Sequence, residues 1–102
     1  MLRHIVLVKF RSDVEETSIN AALDQIVALR EKIAGITAIS TGANVSPEGL
    51  EKGFRHGFVV DFLDEASRDS YLTHPDHVIA GSELVRLADG GIDGILVFDY
   101  NY

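Results

Sequence analysis

The sequence predicts an α+β protein of the ferredoxin-like type, a split β-α-β arrangement in which an antiparallel sheet carries its helices on one face. Three observations support this prediction. Strand-like and helix-like segments follow one another in the order β-α-β-β-α-β. The chain has 102 residues, so residues 1–102 are expected to form a single domain. Three of the four strands carry apolar side chains on both faces, which predicts that both faces of the sheet are covered.

The first half of the chain contains a strand, a long helix and a second strand. Residues 4–10 form an apolar, β-branched run of strand length. Ser12 and Glu15 have capping-box spacing, and apolar residues then recur every three or four positions up to Gly35, which predicts an amphipathic helix. Residues 36–45 alternate loosely and are rich in Ile, Thr and Val, which predicts a less hydrophobic strand at the edge of the sheet.

The second half contains two further strands around a helical region. Residues 54–63, with Gly57 inside them, form an apolar run that predicts the third strand. The helix that follows is expected to end two residues before Pro75, because a proline disfavours helical geometry at the residue before it. Residues 82–87 predict another helical turn, and residues 92–100 predict the last strand.

Charge and composition narrow the classes of partner. The formal net charge is -7, and no basic stripe with interleaved aromatic residues occurs, so nucleic acid is not an expected partner. Apolar runs such as residues 5–8 are far shorter than the ~20 residues that span a bilayer, so no membrane association is expected and a cytoplasmic location is predicted. The absence of cysteine excludes disulfides and thiolate nucleophiles.

The helix-free face of the predicted sheet needs a cover. An apolar sheet face left in solvent would promote aggregation. A second copy of the chain, packed sheet to sheet about a two-fold axis, is the simplest cover. The sequence therefore predicts a homodimer, in the form of a dimeric α+β barrel.

Residues 71–77 place a phenol and two imidazoles around a proline. Imidazole exchanges protons near neutral pH, and a phenol can donate a hydrogen bond to an oxyanion. We therefore consider His77 as a catalytic base, Tyr71 as the donor to an enolate oxygen, and Asp99 as the carboxylate that orients His77. The alternative is structural: His77 ties its loop to the last strand through Asp99, and Tyr71 packs at a helix end.

Two further histidines lie in predicted strands. Strand alternation places His4 on the face of Val6, and His56 on the face of Phe58. These four residues, together with His74, are candidate binding residues for a small apolar or carbonyl ligand. The alternative is that these histidines are ordinary core residues with paired ring nitrogens.

A metal site is the weakest of the candidate sites. His74 and His77 have a spacing compatible with two metal ligands, and Asp76 or Asp99 could add a third. Pro75, however, interrupts the helix that would align the two imidazoles. No metal and no cofactor are therefore expected.

Four segments together resemble a known family. They are Arg-His-Ile-Val-Leu-Val-Lys-Phe at residues 3–10, Gly-Phe-Arg-His-Gly-Phe at 53–58, Tyr-Leu-Thr-His-Pro-Asp-His at 71–77, and Val-Phe-Asp-Tyr at 97–100. From end to end the chain resembles the stress-responsive α/β-barrel (Dabb) proteins, which are dimeric α+β barrels. The resemblance implies the fold and the homodimer, and most members of the family have no assigned reaction.

A plant polyketide cyclase of that family looks similar in the same segments. It closes a linear poly-β-keto chain by an aldol condensation without a cofactor. The resemblance implies that its catalytic tyrosine and histidine correspond to Tyr71 and His77, its pocket histidines to His4 and His56, and the aspartate of its closing strand to Asp99. The first helix departs from the enzyme's pattern, because it carries two alanines and a leucine where the enzyme has bulky aromatic residues.

Two functional hypotheses follow. In the first, the chain is a homodimeric stress-associated protein of unassigned biochemical role, whose small cavity lined by His and Tyr binds a small molecule. In the second, it is a cofactor-independent enzyme of cyclase, isomerase or decarboxylase type that acts on a carbonyl substrate through Tyr71 and His77. A cavity that exposes both side chains would distinguish the second hypothesis from the first.

Overall fold

The computed structural model describes all of residues 1–102 and contains four strands and three helices. In chain order they are β1 (Leu2–Val8), α1 (Glu16–Val27), β2 (Ile36–Ala43), β3 (His56–Phe62), α2 (Glu65–Thr73), α3 (Pro75–Leu87) and β4 (Ile95–Asn101). Short 3₁₀ turns follow α1 at Ala28–Glu31 and precede β4 at Gly91–Gly94. The predicted order of elements is confirmed, with the second helical region divided into α2 and α3.

The four strands form one antiparallel sheet in the order β2-β3-β1-β4. The central strand β1 therefore pairs with both β3 and β4, and His4 lies between Val60 on one side and Asp99 on the other. This is the predicted ferredoxin-like α+β fold, with β2 at an edge as expected. The fold thus brings the N-terminal strand into direct register with the C-terminal one, which no local sequence pattern encodes.

The hydrophobic core lies between the sheet and its helices. Leu2, Val6 and Val8 alternate along β1 and are almost wholly buried, while the residues between them are only half-buried. The buried side of the other elements includes Ile19, Leu23, Ile26, Phe58, Val60, Phe62, Tyr71, Leu84 and Leu87. The period of two along the strand and of three to four along the helices thus specifies which face each element buries.

The start of α1 differs from the prediction. The helix begins at Glu16, with Glu15 as an N-cap residue that makes no side-chain capping bond, so the predicted capping box of Ser12 and Glu15 is wrong. The chain leaves β1 at Val8 and then forms a turn in which Val14 N donates to the Arg11 carbonyl. This turn uses the residues before Glu15 and delays the helix.

The break between α2 and α3 falls where the proline predicts it. Helix α2 ends at Thr73, and Pro75 occupies the first turn of α3, where the missing N–H costs no helical hydrogen bond. His74 caps α3, because its Nδ1 accepts a hydrogen bond from Asp76 N at 3.1 Å. The prediction of only a helical turn at residues 82–87 is therefore too short: the proline starts a second helix of 13 residues.

The face of the sheet without helices is apolar and accessible. Leu96, Phe98 and Tyr100 of β4 are 43%, 59% and 39% exposed, and Ile5 and Leu7 lie opposite Phe98 and Leu96 in the neighbouring strand. We call this surface, together with Val59, the open sheet face. No helix of the structure combines the length and the apolar character that crossing a membrane requires.

Candidate functional site

A cavity of about 640 Å³ lies between the helix-covered side of β1 and β4 and the helices α2 and α3. Val6, Leu84 and Ile95 belong to its apolar wall, and Val78, Ile92 and Val97 are more than half exposed at its mouth. Arg68, Asp69 and Asp99 line it together with His4 and His77. The size is within the usual range for small-molecule sites, and the mixture of an apolar wall with a few polar groups is typical of them.

His77 is a half-buried imidazole in the cavity wall, in the first turn of α3. Its Nδ1 lies 3.1 Å from the carbonyl oxygen of Leu72. A carbonyl can only accept, so Nδ1 carries the proton and Nε2 keeps its lone pair. Burial is the largest influence on the pKa of His77 and lowers it, with the Leu72 hydrogen bond acting in the opposite direction. His77 is thus an unprotonated base at neutral pH.

Asp99 contacts His4 rather than His77. Its Oδ1 lies 2.7 Å from His4 Nδ1, and its Oδ2 accepts a hydrogen bond from Arg68 Nη1 at 2.9 Å. The predicted role of Asp99 in orienting His77 is therefore wrong. The reason is strand register, because β1 and β4 are neighbours with His4 directly opposite Asp99, whereas His77 has already used its Nδ1 on Leu72.

Tyr71 is completely buried behind the cavity wall. Its ring packs on His77 with centroids 4.2 Å apart, and on Phe62 at 5.0 Å. Its hydroxyl has no hydrogen-bond partner, the single such buried side-chain atom in the protein. Burial raises the pKa of Tyr71, so the phenol stays protonated. The structure thus brings the rings of Tyr71 and His77 into contact, but only His77 lines the cavity, so a cavity that exposes both side chains is not observed.

His56 and His74 lie away from this cavity. His56 pairs with Val8, four positions along β1 from His4, and its Nε2 lies 3.4 Å from Glu16 Oε1. The prediction that His4 and His56 share one cavity is wrong, because both face the helices but from opposite ends of the paired strands. His74 is occupied as the cap of α3 and is also absent from the wall, whereas Val6 and Phe58 do line it.

No three His, Asp or Glu side chains come together in a way that could hold a metal ion. His74 and His77 flank the start of α3, and the Nδ1 of each is engaged with backbone, His74 with Asp76 N and His77 with the Leu72 carbonyl. Their spacing in the sequence therefore corresponds to two separate structural contacts.

Arg68 is a cavity residue that sequence reasoning missed. It lies on α2, three positions before Tyr71, and is the one Lys or Arg side chain in the cavity wall. Its Nη1 donates to Asp99 Oδ2, and its Nε donates to Asp69 Oδ1 at 2.9 Å. The spacing of three positions from Tyr71 was a usable signal, because residues three apart share one side of a helix.

Comparison with known proteins agrees with this fold. The family model described as the stress responsive A/B barrel domain (Dabb) matches residues 2–102. The chain belongs to this family. A dimeric ferredoxin-like protein of unknown function from Jannaschia sp. CCS1 superposes with a TM-score of 0.91 at 32% identity, covering 99% of this chain and 98% of that one.

Two plant proteins that are similar to this chain differ in the role for which they are named. The stress-response A/B barrel domain-containing protein HS1 of Arabidopsis thaliana is 29% identical over 97% of this chain and 87% of its own length. Olivetolic acid cyclase of Cannabis sativa is 24% identical over 97% of this chain and 94% of its own length. This Dabb protein is thus similar both to proteins named for stress response and to an enzyme.

Proposed function

We propose that this Dabb protein is a homodimer that binds a small, uncharged and mostly apolar carbonyl compound in the cavity beside His77. The cavity supports this proposal, because it combines an apolar wall with polar groups. The cavity wall carries one positive charge, on Arg68, and two negative charges, on Asp69 and Asp99. A carboxylate or phosphate ligand would be repelled by this excess of negative charge, whereas a ketone or thioester carbonyl would not.

The proposed homodimer would form through the open sheet face. Phe98 is 59% exposed in the isolated chain and lies beside its strand partner Ile5, so a continuous apolar surface is available to a second copy. The relative from Jannaschia sp. is dimeric, which supports a homodimer. The cavity lies on the opposite side of the sheet, so dimer formation would leave its mouth open.

Binding can be tested by calorimetry with 2-heptanone, a neutral ketone with a short apolar tail. We expect saturable binding with one site per chain. Val97→Trp, at the mouth of the cavity, should weaken binding at least about tenfold by occupying the volume of the ligand. Val45→Trp, on an exposed loop remote from the cavity, is the matched control and should bind like the wild type. Equal affinity in both variants would contradict the proposed site.

A second candidate function is enolisation of the bound carbonyl compound, and the position of His77 in the cavity wall with its lowered pKa favours it. In this reaction His77 Nε2 takes a proton from the carbon next to the carbonyl, and the electron pair moves onto the carbonyl oxygen. The hydroxyl of Tyr71 has no partner in the protein but is buried behind the cavity wall, so Tyr71 would have to turn toward the cavity to donate a hydrogen bond to that oxygen. Return of the proton to carbon completes an isomerisation or an exchange with solvent.

Proton exchange in D₂O tests this chemistry without a cofactor. The wild type should replace the α-protons of 2-heptanone by deuterium, as followed by proton NMR. His77→Ala should lower the exchange rate by about 10²-fold, the smaller end of what a general base contributes. His56→Ala is the control, because this imidazole lies outside the cavity. An equal rate in wild type and His77→Ala would exclude the enzymatic candidate and leave the binding proposal standing.

A further inference from the structure

We propose that Arg68 is a positioning residue that holds the side chain of residue 99 in the orientation that turns an acceptor oxygen to His4 Nδ1. The inference rests on the proposed function, because His4 lines the cavity in which the ligand is proposed to bind. His4, Asp99 and Arg68 all line this cavity, and we call them the Arg68 triad. They come from three different elements, β1, β4 and α2, so the triad forms only in the folded protein.

The direction of each hydrogen bond in the triad follows from what its members can donate. The Asp99 carboxylate only accepts, so His4 Nδ1, 2.7 Å from Oδ1, is the nitrogen that carries the proton. The other nitrogen of His4, Nε2, makes no hydrogen bond within the protein. In the neutral form of His4 the lone pair therefore lies on Nε2, which can accept a hydrogen bond from a ligand in the cavity.

Arg68 fixes the carboxylate on which this arrangement depends. Its Nη1 donates to Asp99 Oδ2 at 2.9 Å, so both oxygens of Asp99 are held and the carboxylate cannot rotate away from His4. Arg68 is itself restrained, since its Nε donates to Asp69 Oδ1. A guanidinium group can only donate hydrogen bonds. The atom of residue 99 that faces Arg68 must therefore be a hydrogen-bond acceptor.

In the wild type either oxygen of Asp99 keeps the proton on His4 Nδ1, so the effect of Arg68 becomes visible only when the two terminal atoms of residue 99 differ, as in D99N. If Arg68 did not hold this side chain, the amide of that variant could turn either its oxygen or its NH₂ group to His4. If Arg68 positions Asp99, then D99N should reverse the tautomer of His4. The amide oxygen of that variant must face Arg68, so the amide NH₂ group faces His4 Nδ1 and forces the proton onto Nε2.

The test is ¹⁵N NMR of the imidazole nitrogens in ligand-free protein at about pH 8.5, above the ordinary imidazole pKa of about 6.5. We expect His4 to be protonated on Nδ1 in the wild type and on Nε2 in D99N. In R68M/D99N no donor fixes the amide, so the fraction of His4 that is protonated on Nδ1 should rise above that in D99N. R68K/D99N should keep the reversed tautomer, because an ammonium group also only donates.

Two results would overturn the inference: a wild-type His4 protonated on Nε2 alone, or the same proportion of the two tautomers in D99N and R68M/D99N. If R68M/D99N does not fold, R68Q/D99N provides the same comparison, since a glutamine amide can donate to the Asn oxygen or accept from its NH₂ group. The measurement contains no ligand, so its outcome is separate from that of the 2-heptanone titration. Ligand binding without the tautomer reversal would refute the role of Arg68 alone.

Discussion

At the scale of single residues, the candidate site is defined by the protonation states of two neighbouring side chains. Burial keeps His77 unprotonated and Tyr71 protonated at neutral pH, which is the combination that a base and a hydrogen-bond donor require. The sequence could predict that these two side chains lie close together, because both belong to residues 71–77. It could not predict the partner of Asp99, which depends on the register of two strands from opposite ends of the chain.

The unpartnered hydroxyl of Tyr71 leads to a prediction with two readouts. A buried hydroxyl without a partner costs free energy, so Tyr71→Phe should leave the free energy of unfolding unchanged or raise it by up to about 1 kcal/mol. The same change should slow α-proton exchange of 2-heptanone by at least about tenfold, through loss of the donor. Chemical denaturation and NMR measure the two effects. Loss of stability together with unchanged exchange would assign Tyr71 a structural role.

The lowered pKa of His77 predicts a particular dependence on pH. Because the folded-state pKa lies below the unfolded value of about 6.5, the folded protein binds fewer protons than the unfolded chain in this range. The stability that neutral His77 contributes is therefore complete above about pH 6.5 and is lost as the pH falls through the lowered pKa. An NMR titration of His77 should give a midpoint below about 6.5, and the exchange rate should rise through the same midpoint. A midpoint above about 6.5 would contradict this description of the site.

At the scale of elements, the local patterns predicted the order of strands and helices but not all of their ends. The proline at residue 75 predicted where α2 stops, because its effect on the chain is local. The start of α1 was mispredicted, because the turn at Arg11 and Val14 depends on how the chain leaves the sheet. Tertiary packing therefore determines where a helix or strand begins and ends more than it determines that the helix or strand forms.

Gly81 in α3 links the stability of this helix to access to His77. A glycine inside a helix destabilises it relative to alanine, so Gly81→Ala should raise the free energy of unfolding by about 0.5–1 kcal/mol. Its new methyl group would lie 3.8 Å from His77 Nε2, at ordinary contact distance, and would obstruct the base. We expect α-proton exchange to fall about tenfold.

Ile79→Ala is the control for this prediction, because residue 79 lies in the same helix but is 60% exposed and outside the cavity. It should leave the exchange rate unchanged. A Gly81→Ala variant that is more stable and exchanges at the wild-type rate would show that the proton transfer does not occur at His77 Nε2.

At the scale of the whole molecule, one face of the sheet forms the proposed ligand site and the other forms the proposed dimer interface. The helix-covered face forms the core and the cavity, and the open sheet face is left for the second copy. The alternation of apolar residues on both sides of the strands predicted this division. The shape of the cavity could not be predicted, because it depends on how α2 and α3 pack over β4.

Light scattering at micromolar concentration tests the assembly. The wild type should have about twice the 11.2 kDa mass of the chain. Phe98→Asp places a charge on the open sheet face and should give a monomer, because burying an unpaired carboxylate is costly. Ile79→Asp introduces the same charge at a similarly exposed apolar residue on α3 and should remain dimeric. A wild-type monomer, or a dimeric Phe98→Asp variant, would contradict the proposed interface.

The most direct test of the ligand site is a methyl NMR titration of the wild-type protein with 2-heptanone. The proposal predicts saturable shifts of the methyl groups of Val6, Leu84 and Val97 in the cavity, together with the imidazole signals of His77. The methyl groups of Val45 and Leu50, on the loop at the far side of the molecule, should not move. Absence of saturable shifts in the cavity, or shifts confined to that loop, would contradict the account.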